Sequence, residues 1–108
     1  MSYKVLTVPP FDKQLKRLVK KYPSLKGEFA ELLDLLQETP DLGTALGNKC
    51  YKIRLAIASK GKGKSAGSRV ITYLQIDKNS VFLLSIFDKS EQENITDGEL
   101  NSLLKFVP

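Results

Sequence analysis

The chain has 108 residues, 42% of them hydrophobic and 27% charged, enough for one globular domain and too few for a second core. It contains no histidine, which removes the usual general base and the usual zinc ligand, and its lone Cys50 excludes an intrachain disulfide and suits a reducing compartment. No apolar run approaches the roughly 20 residues of a membrane span, and the opening MSYKVLTVPP lacks a signal-peptide layout, so a cytoplasmic protein without a membrane partner is expected.

Tyr3 to Val8 reads as a short strand stopped by Pro9 and Pro10. Phe11, Leu15, Leu18, Val19 and Tyr22 then recur at helical spacing, with Lys13, Lys16, Arg17, Lys20 and Lys21 on the rest of the wheel, until Pro23. A second helix carries Leu25, Phe29, Leu32, Leu33 and Leu36 inside, with Glu28, Glu31, Asp34 and Glu38 outside. It stops at Pro40 and Gly43. One helix is basic and the other acidic, so the pair is expected to fold back as a hairpin.

From Tyr51 the period becomes two. Tyr51, Ile53, Leu55 and Ile57 alternate with Lys52, Arg54, Ala56 and Ala58. Arg69 to Ile76 is the next strand, Asp77-Lys78-Asn79-Ser80 a turn, and Val81 to Phe87 the last strand. These form an antiparallel meander. Thr96 and Glu99 have capping-box spacing ahead of Leu100, Leu103 and Leu104, which predicts a final helix. The order β-α-α-β-β-β-α gives an α+β fold, a small twisted antiparallel sheet packed against an N-terminal helical hairpin.

The positive charge is focused. Lys49, Lys52, Arg54, Lys60, Lys62, Lys64 and Arg69 form a run of seven cations with no intervening acid, and the rest of the chain holds 10 basic and 12 acidic residues. Such a focus attracts polyanions, phosphate backbones above all. With the hairpin covering the more apolar sheet face, the other face is expected to be open and to show Lys52, Arg54, Arg69, Tyr73 and Phe87. Cations hold a backbone there and rings stack on bases, an arrangement suited to single-stranded nucleic acid. Taken singly, each of these residues reads as a solvated or packing position. Taken together they point to function, because clustered like charges cost stability.

Other motifs lead nowhere. Gly63-Lys64-Ser65 resembles the end of a phosphate-binding loop, but Ala58 stands where the first glycine belongs, and a strand follows instead of a helix. Ser59, Ser65, Ser68 and Ser90 have no histidine to activate them. Cys50 reads as a small buried residue and not as a nucleophile. Asp88 and Glu91 remain candidates for acid–base work, whereas Glu93 reads as a solvated turn.

Five segments together carry a family resemblance: Lys20-Lys21-Tyr22-Pro23-Ser24-Leu25, Tyr51-Lys52-Ile53-Arg54-Leu55, Gly61-Lys62-Gly63-Lys64-Ser65-Ala66-Gly67, Arg69-Val70-Ile71-Thr72-Tyr73, and Leu83 through Phe87-Asp88-Lys89-Ser90-Glu91-Gln92. Over nearly the whole chain this resembles the RelE/ParE superfamily of bacterial toxins, and within it the HigB-like branch. The resemblance implies a type II toxin with a cognate antitoxin partner, which enters the ribosomal A site and cuts mRNA there without a metal or other cofactor. ParE-like members share the fold and inhibit DNA gyrase, and a catalytically weakened RNA-binding relic is the third alternative. Two departures stand out: Phe87 where the family often has Tyr, and Ala66-Gly67 where this branch more often has two glycines.

A ribonuclease of this kind can use the RNA's own 2′-OH as nucleophile. Arg54, Arg69 and Lys64 are then expected to stabilise the phosphorane, with Lys62 and Lys52 on flanking phosphates. Lys62 or Lys64, mutually repelled, could serve as base, with Lys89, Asp88 or Glu91 as the alternative. Phe87 is expected to stack in the catalytic group. Lys49, Lys60 and Tyr73 complete the expected RNA contacts, together with Asp88 and Glu91.

Overall fold

The computed structural model describes residues 2–60 and 67–108. Its elements are β1 (Lys4–Thr7), α1 (Pro9–Lys21), α2 (Leu25–Glu38), β2 (Thr44–Gly47), β3 (Cys50–Leu55), β4 (Ser68–Gln75), β5 (Ser80–Asp88) and α3 (Asp97–Leu104), with 3₁₀ turns at Ala58–Lys60 and Ile76–Lys78. The α+β architecture and the helical hairpin agree with the sequence reading.

Local chemistry explains the boundaries. Pro9 and Pro10 open α1, where the first amides have no helical acceptor to lose. Asp12 in the first turn and Lys20 and Lys21 in the last oppose the helix dipole. Thr96 and Glu99 close the expected capping box, each side chain accepting from the other residue's backbone N–H at 3.1 Å.

The sheet has five strands in the order β1-β5-β4-β3-β2. β3, β4 and β5 form the expected antiparallel meander, and two further strands extend it at its edges. β1 lies parallel to β5, with Lys4 opposite Ser80 and Thr7 opposite Leu83, because the two-helix crossover returns the chain to a non-adjacent edge. β2 is an additional edge strand. It pairs with β3 through a tight turn in which Asn48 and Lys49 both take positive φ.

β5 is buried along its whole length. Phe11, Leu18, Leu25 and Leu32 of the hairpin pack in one core with Ile53, Val70, Leu83 and Ile86. A bulge interrupts the β4–β5 ladder: Ile71 pairs with Ser85 and Thr72 with Leu83, so Leu84 is unpaired. Beyond the end of β1, Gln14 of α1 takes over the free hydrogen-bonding edge of β5. Its Oε1 accepts from Ile86 N and from Ser85 Oγ, both at 3.1 Å.

Gly67 precedes β4 against the departing end of β3. A Cβ there would stand 2.4 Å from Leu55 O and 3.0 Å from Ala56 Cα, both backbone atoms that cannot step aside. Gly67→Ala is expected to cost about 2 kcal/mol of stability, read as a lower urea midpoint at unchanged slope.

Candidate functional site

Strand register places Arg54, Arg69 and Phe87 side by side on β3, β4 and β5. One step on, Lys52, Ile71 and Ser85 make the next row of the same face, and Cys50, Tyr73 and Phe82 the one beyond. The five residues predicted to share a face therefore do share it. Arg54 is exposed, while Arg69 keeps only 4% of its surface. Burial lowers the Arg69 pKa, and the neighbouring Arg54 charge lowers it further. An Arg69 Nη donates to Ser68 O at 3.1 Å. Two guanidiniums, one desolvated and both repelling, form a site that a bound phosphate would relieve electrostatically.

The face is not open as expected. Phe87 is 3% exposed and Ile71 fully buried. The chain after β5 returns over this side: Lys52 Nζ donates to Asn94 Oδ1 at 3.4 Å, Gln75 Nε2 donates to Pro108 O at 3.2 Å, and Leu100 enters the core. Phe87 is thus a packing residue and not a stacking platform, and Tyr73 is half-buried. Lys49 is exposed, but it sits in the β2–β3 turn beside Tyr73, Gln75 and Val107. At about 3.3 Å per residue it lies roughly 16 Å along the strand from Arg54. Lys62 and Lys64 lie outside the described residues.

Asp88 stands one residue past Phe87, so its side chain takes the opposite face, under the helices. It is fully buried. Lys60 Nζ pairs with Oδ1, the Tyr22 hydroxyl donates to Oδ2 at 2.7 Å, and the Ser90 N–H and hydroxyl donate to Oδ1 at 3.0 and 2.8 Å. Burial pushes the carboxyl upward, but the hydrogen bonds from Lys60, Tyr22 and Ser90 outweigh it and hold it well below the usual carboxylate range. The expected RNA contact at Asp88 is corrected here, since its oxygens face inward and are occupied. Lys60 is likewise turned inward, its side chain 11% exposed. Glu91 is at the surface, bridged to Arg17 at 3.1 Å. Lys89 is half-buried, and its N–H donates to Gly67 O at 3.1 Å.

Tyr22 was not among the sequence candidates. Its position just before Pro23 marks only a helix end, and nothing local announces a partner 66 residues away. Lys21 and Lys60 both lie 5.4 Å from its ring centroid.

Cys50 is buried, and burial pushes its thiol up to about 11, which fits a packing role. Among the described residues no group of three or more Cys, Asp and Glu side chains could hold a metal ion. Also among them, no helix is long and apolar enough to cross a membrane. Among the described residues the site offers cations and hydrogen-bond donors, without an activated protein nucleophile.

Residues 12–107 match the family model described as the RelE toxin of the RelE/RelB toxin–antitoxin system. In fold, the chain is similar to an arginine-to-alanine double mutant of the E. coli toxin RelE in the free state, at TM-score 0.66 and 19% identity, with 100% of each chain covered. It is also similar to the intact E. coli RelBE toxin–antitoxin complex, at TM-score 0.62 and 21% identity over 81% of this chain and 96% of that one. A metal-bound toxin from Helicobacter pylori gives TM-score 0.50 at 23% identity over 83% and 98% of the two chains.

Proposed function

Because the chain belongs to the RelE toxin family of type II toxin–antitoxin systems, we propose that it is a ribosome-dependent endoribonuclease that cuts mRNA in the A site and is held inactive by a cognate antitoxin. The observation that carries this reading is the Arg54–Arg69 pair, two opposed guanidiniums on adjacent strands in a chain without histidine.

Cleavage of RNA needs alignment of the 2′-OH with the next phosphate, charge stabilisation of the phosphorane, and proton transfers. Arg54 and Arg69 supply the charge stabilisation, since a guanidinium fork matches two non-bridging oxygens. Lys52 holds a flanking phosphate, and Lys62 and Lys64 supply further charge and the base. Lys89 is the alternative base. The antitoxin covers Arg54 with acidic and apolar residues.

The nucleophile is the test. In a purified translation system, a message with one 2′-deoxynucleotide at the cut position is expected to resist cleavage. The natural message yields a 2′,3′-cyclic phosphate and a 5′-OH. Cutting of the deoxy message at the natural rate would mean that water or a protein group attacks instead.

A further inference from the structure

A second focus of positive charge lies on the helical layer. From Lys13 to Lys21 the chain has five cations and no acid, half of the 10 basic residues outside the 49–69 run. The helix sorts them to one side. At about 100° per residue, Lys13, Lys16, Arg17, Lys20 and Lys21 fall in an arc of about 140°, opposite the apolar stripe of α1. Phe11 and Leu18 of that stripe are buried in the core. All five cations are exposed and line one shallow depression, whose lining holds no apolar or acidic residue. Lys13, then Lys16 with Arg17, then Lys20 with Lys21 make three rows, one turn or about 5.4 Å apart. The acids of α2 do not neutralise them. Among the described residues the cluster's one ion pair is Arg17 with Glu91, exposed at both ends. Like charges three and four residues apart weaken a helix, and a bound polyanion would remove that repulsion.

We propose that this face of α1 is a second RNA-binding surface. It holds the phosphate backbone of a base-paired RNA while the Arg54–Arg69 pair, on the opposite side of the sheet, takes the strand to be cut. The binding itself needs no cleavage; the division of labour between the two faces rests on the nuclease reading above. Three rows of cations can each meet a phosphate, and they read charge and not sequence. Paired RNA presents its backbone in a fixed geometry and is recognised by shape and phosphate contacts. A protein partner fits this face less well. Protein interfaces are built round buried aromatic or apolar anchors and are depleted in lysine, whereas this lining is lysine and arginine alone. A membrane surface also fits less well. A helix lying in one inserts its apolar side, and that side of α1 is sealed in the core.

Fluorescence anisotropy with a fully paired RNA hairpin, off the ribosome and across about 50 to 200 mM salt, tests this. The triple variant Lys13→Gln, Lys16→Gln, Lys20→Gln keeps helix propensity and removes one cation from each row. It is expected to bind about tenfold more weakly or worse at the low end of that range, with the slope of log affinity on log salt shallower by about 3. The control Lys4→Gln, Lys78→Gln, Lys105→Gln removes the same charge from exposed positions elsewhere. It is expected to stay within about threefold of the parent, because salt screens distant charges. Amide shifts on adding the hairpin are expected to centre on residues 13–21. Equal losses in the two triple variants would mean that only net charge matters and would overturn the proposal, as would shifts confined to β3 and β4. An acidic peptide that binds α1 more tightly than the hairpin would assign the face to a protein and overturn it too. A parent chain that binds the hairpin through α1 but cuts no translated mRNA would keep this surface and sink the nuclease reading alone.

Discussion

Arg69→Ala is expected to cut ribosome-bound mRNA about 100-fold more slowly than the parent chain, or worse, while unfolding as cooperatively. The guanidinium is nearly out of water and lies opposite Arg54. A fixed, desolvated cation aimed at developing negative charge contributes more than the same cation in solvent. Folding stability moves far less, by about 1 kcal/mol in either direction. The variant loses a hydrogen bond to Ser68 O and the packing of an arginine stem. It also loses a buried charge that Arg54 repels. Arg69→Lys separates charge from geometry: it keeps the former and loses the bidentate fork, so partial activity is expected. A folded Arg69→Ala chain that still arrests growth fully would place the chemistry elsewhere.

The second large effect is on stability, and it depends on pH. Asp88→Asn leaves the Lys60 ammonium without its anion in a site with little access to water. Breaking a buried pair from one side costs about 3 kcal/mol, more than the net worth of the pair itself. The Asp88 carboxyl titrates below its unfolded value of about 3.9, so the ionised form favours the folded state. That contribution is fully present above the unfolded value and is lost as pH falls towards the depressed folded one. The stability gap between parent and Asp88→Asn is therefore widest near neutral pH and narrows from about pH 4 downward, by at most about 1.4 kcal/mol per pH unit. Urea titrations at pH 7, 4 and 3 read the gap directly. A gap that stayed constant across this range would mean that Asp88 is not held in the charged form.

Much of the site was legible because strand alternation is a local rule. Ile53 and Leu55 against Lys52 and Arg54 set the faces of β3, and the same counting put Arg69 and Phe87 beside Arg54. The burial of that face was not legible. It depends on the chain after β5 returning over the sheet, a tertiary event that the Thr96–Glu99 capping box announces only as a helix. Asp88 shows the same limit. As a sequence position it reads as a free carboxylate near the end of a strand. Its meaning comes from Tyr22 and Lys60, which are distant in the chain and adjacent only once the hairpin has packed. β2 escaped notice because its three residues between Gly43 and Gly47, all exposed, have no alternation to display, although Gly47-Asn48-Lys49 carries the left-handed turn chemistry that could have marked a hairpin. The parallel β1–β5 pair was hidden for another reason. Pairing direction follows from where the two-helix crossover delivers the chain, and no single residue encodes it.

The central claim is that this chain cuts translated mRNA. Its most direct test is induction of the chain in a bacterial host, with primer extension on a translated message and on the same message lacking its start codon. The account predicts new 5′ ends in the translated message alone. Growth arrest without cuts in either message would contradict it and point to a protein target such as gyrase.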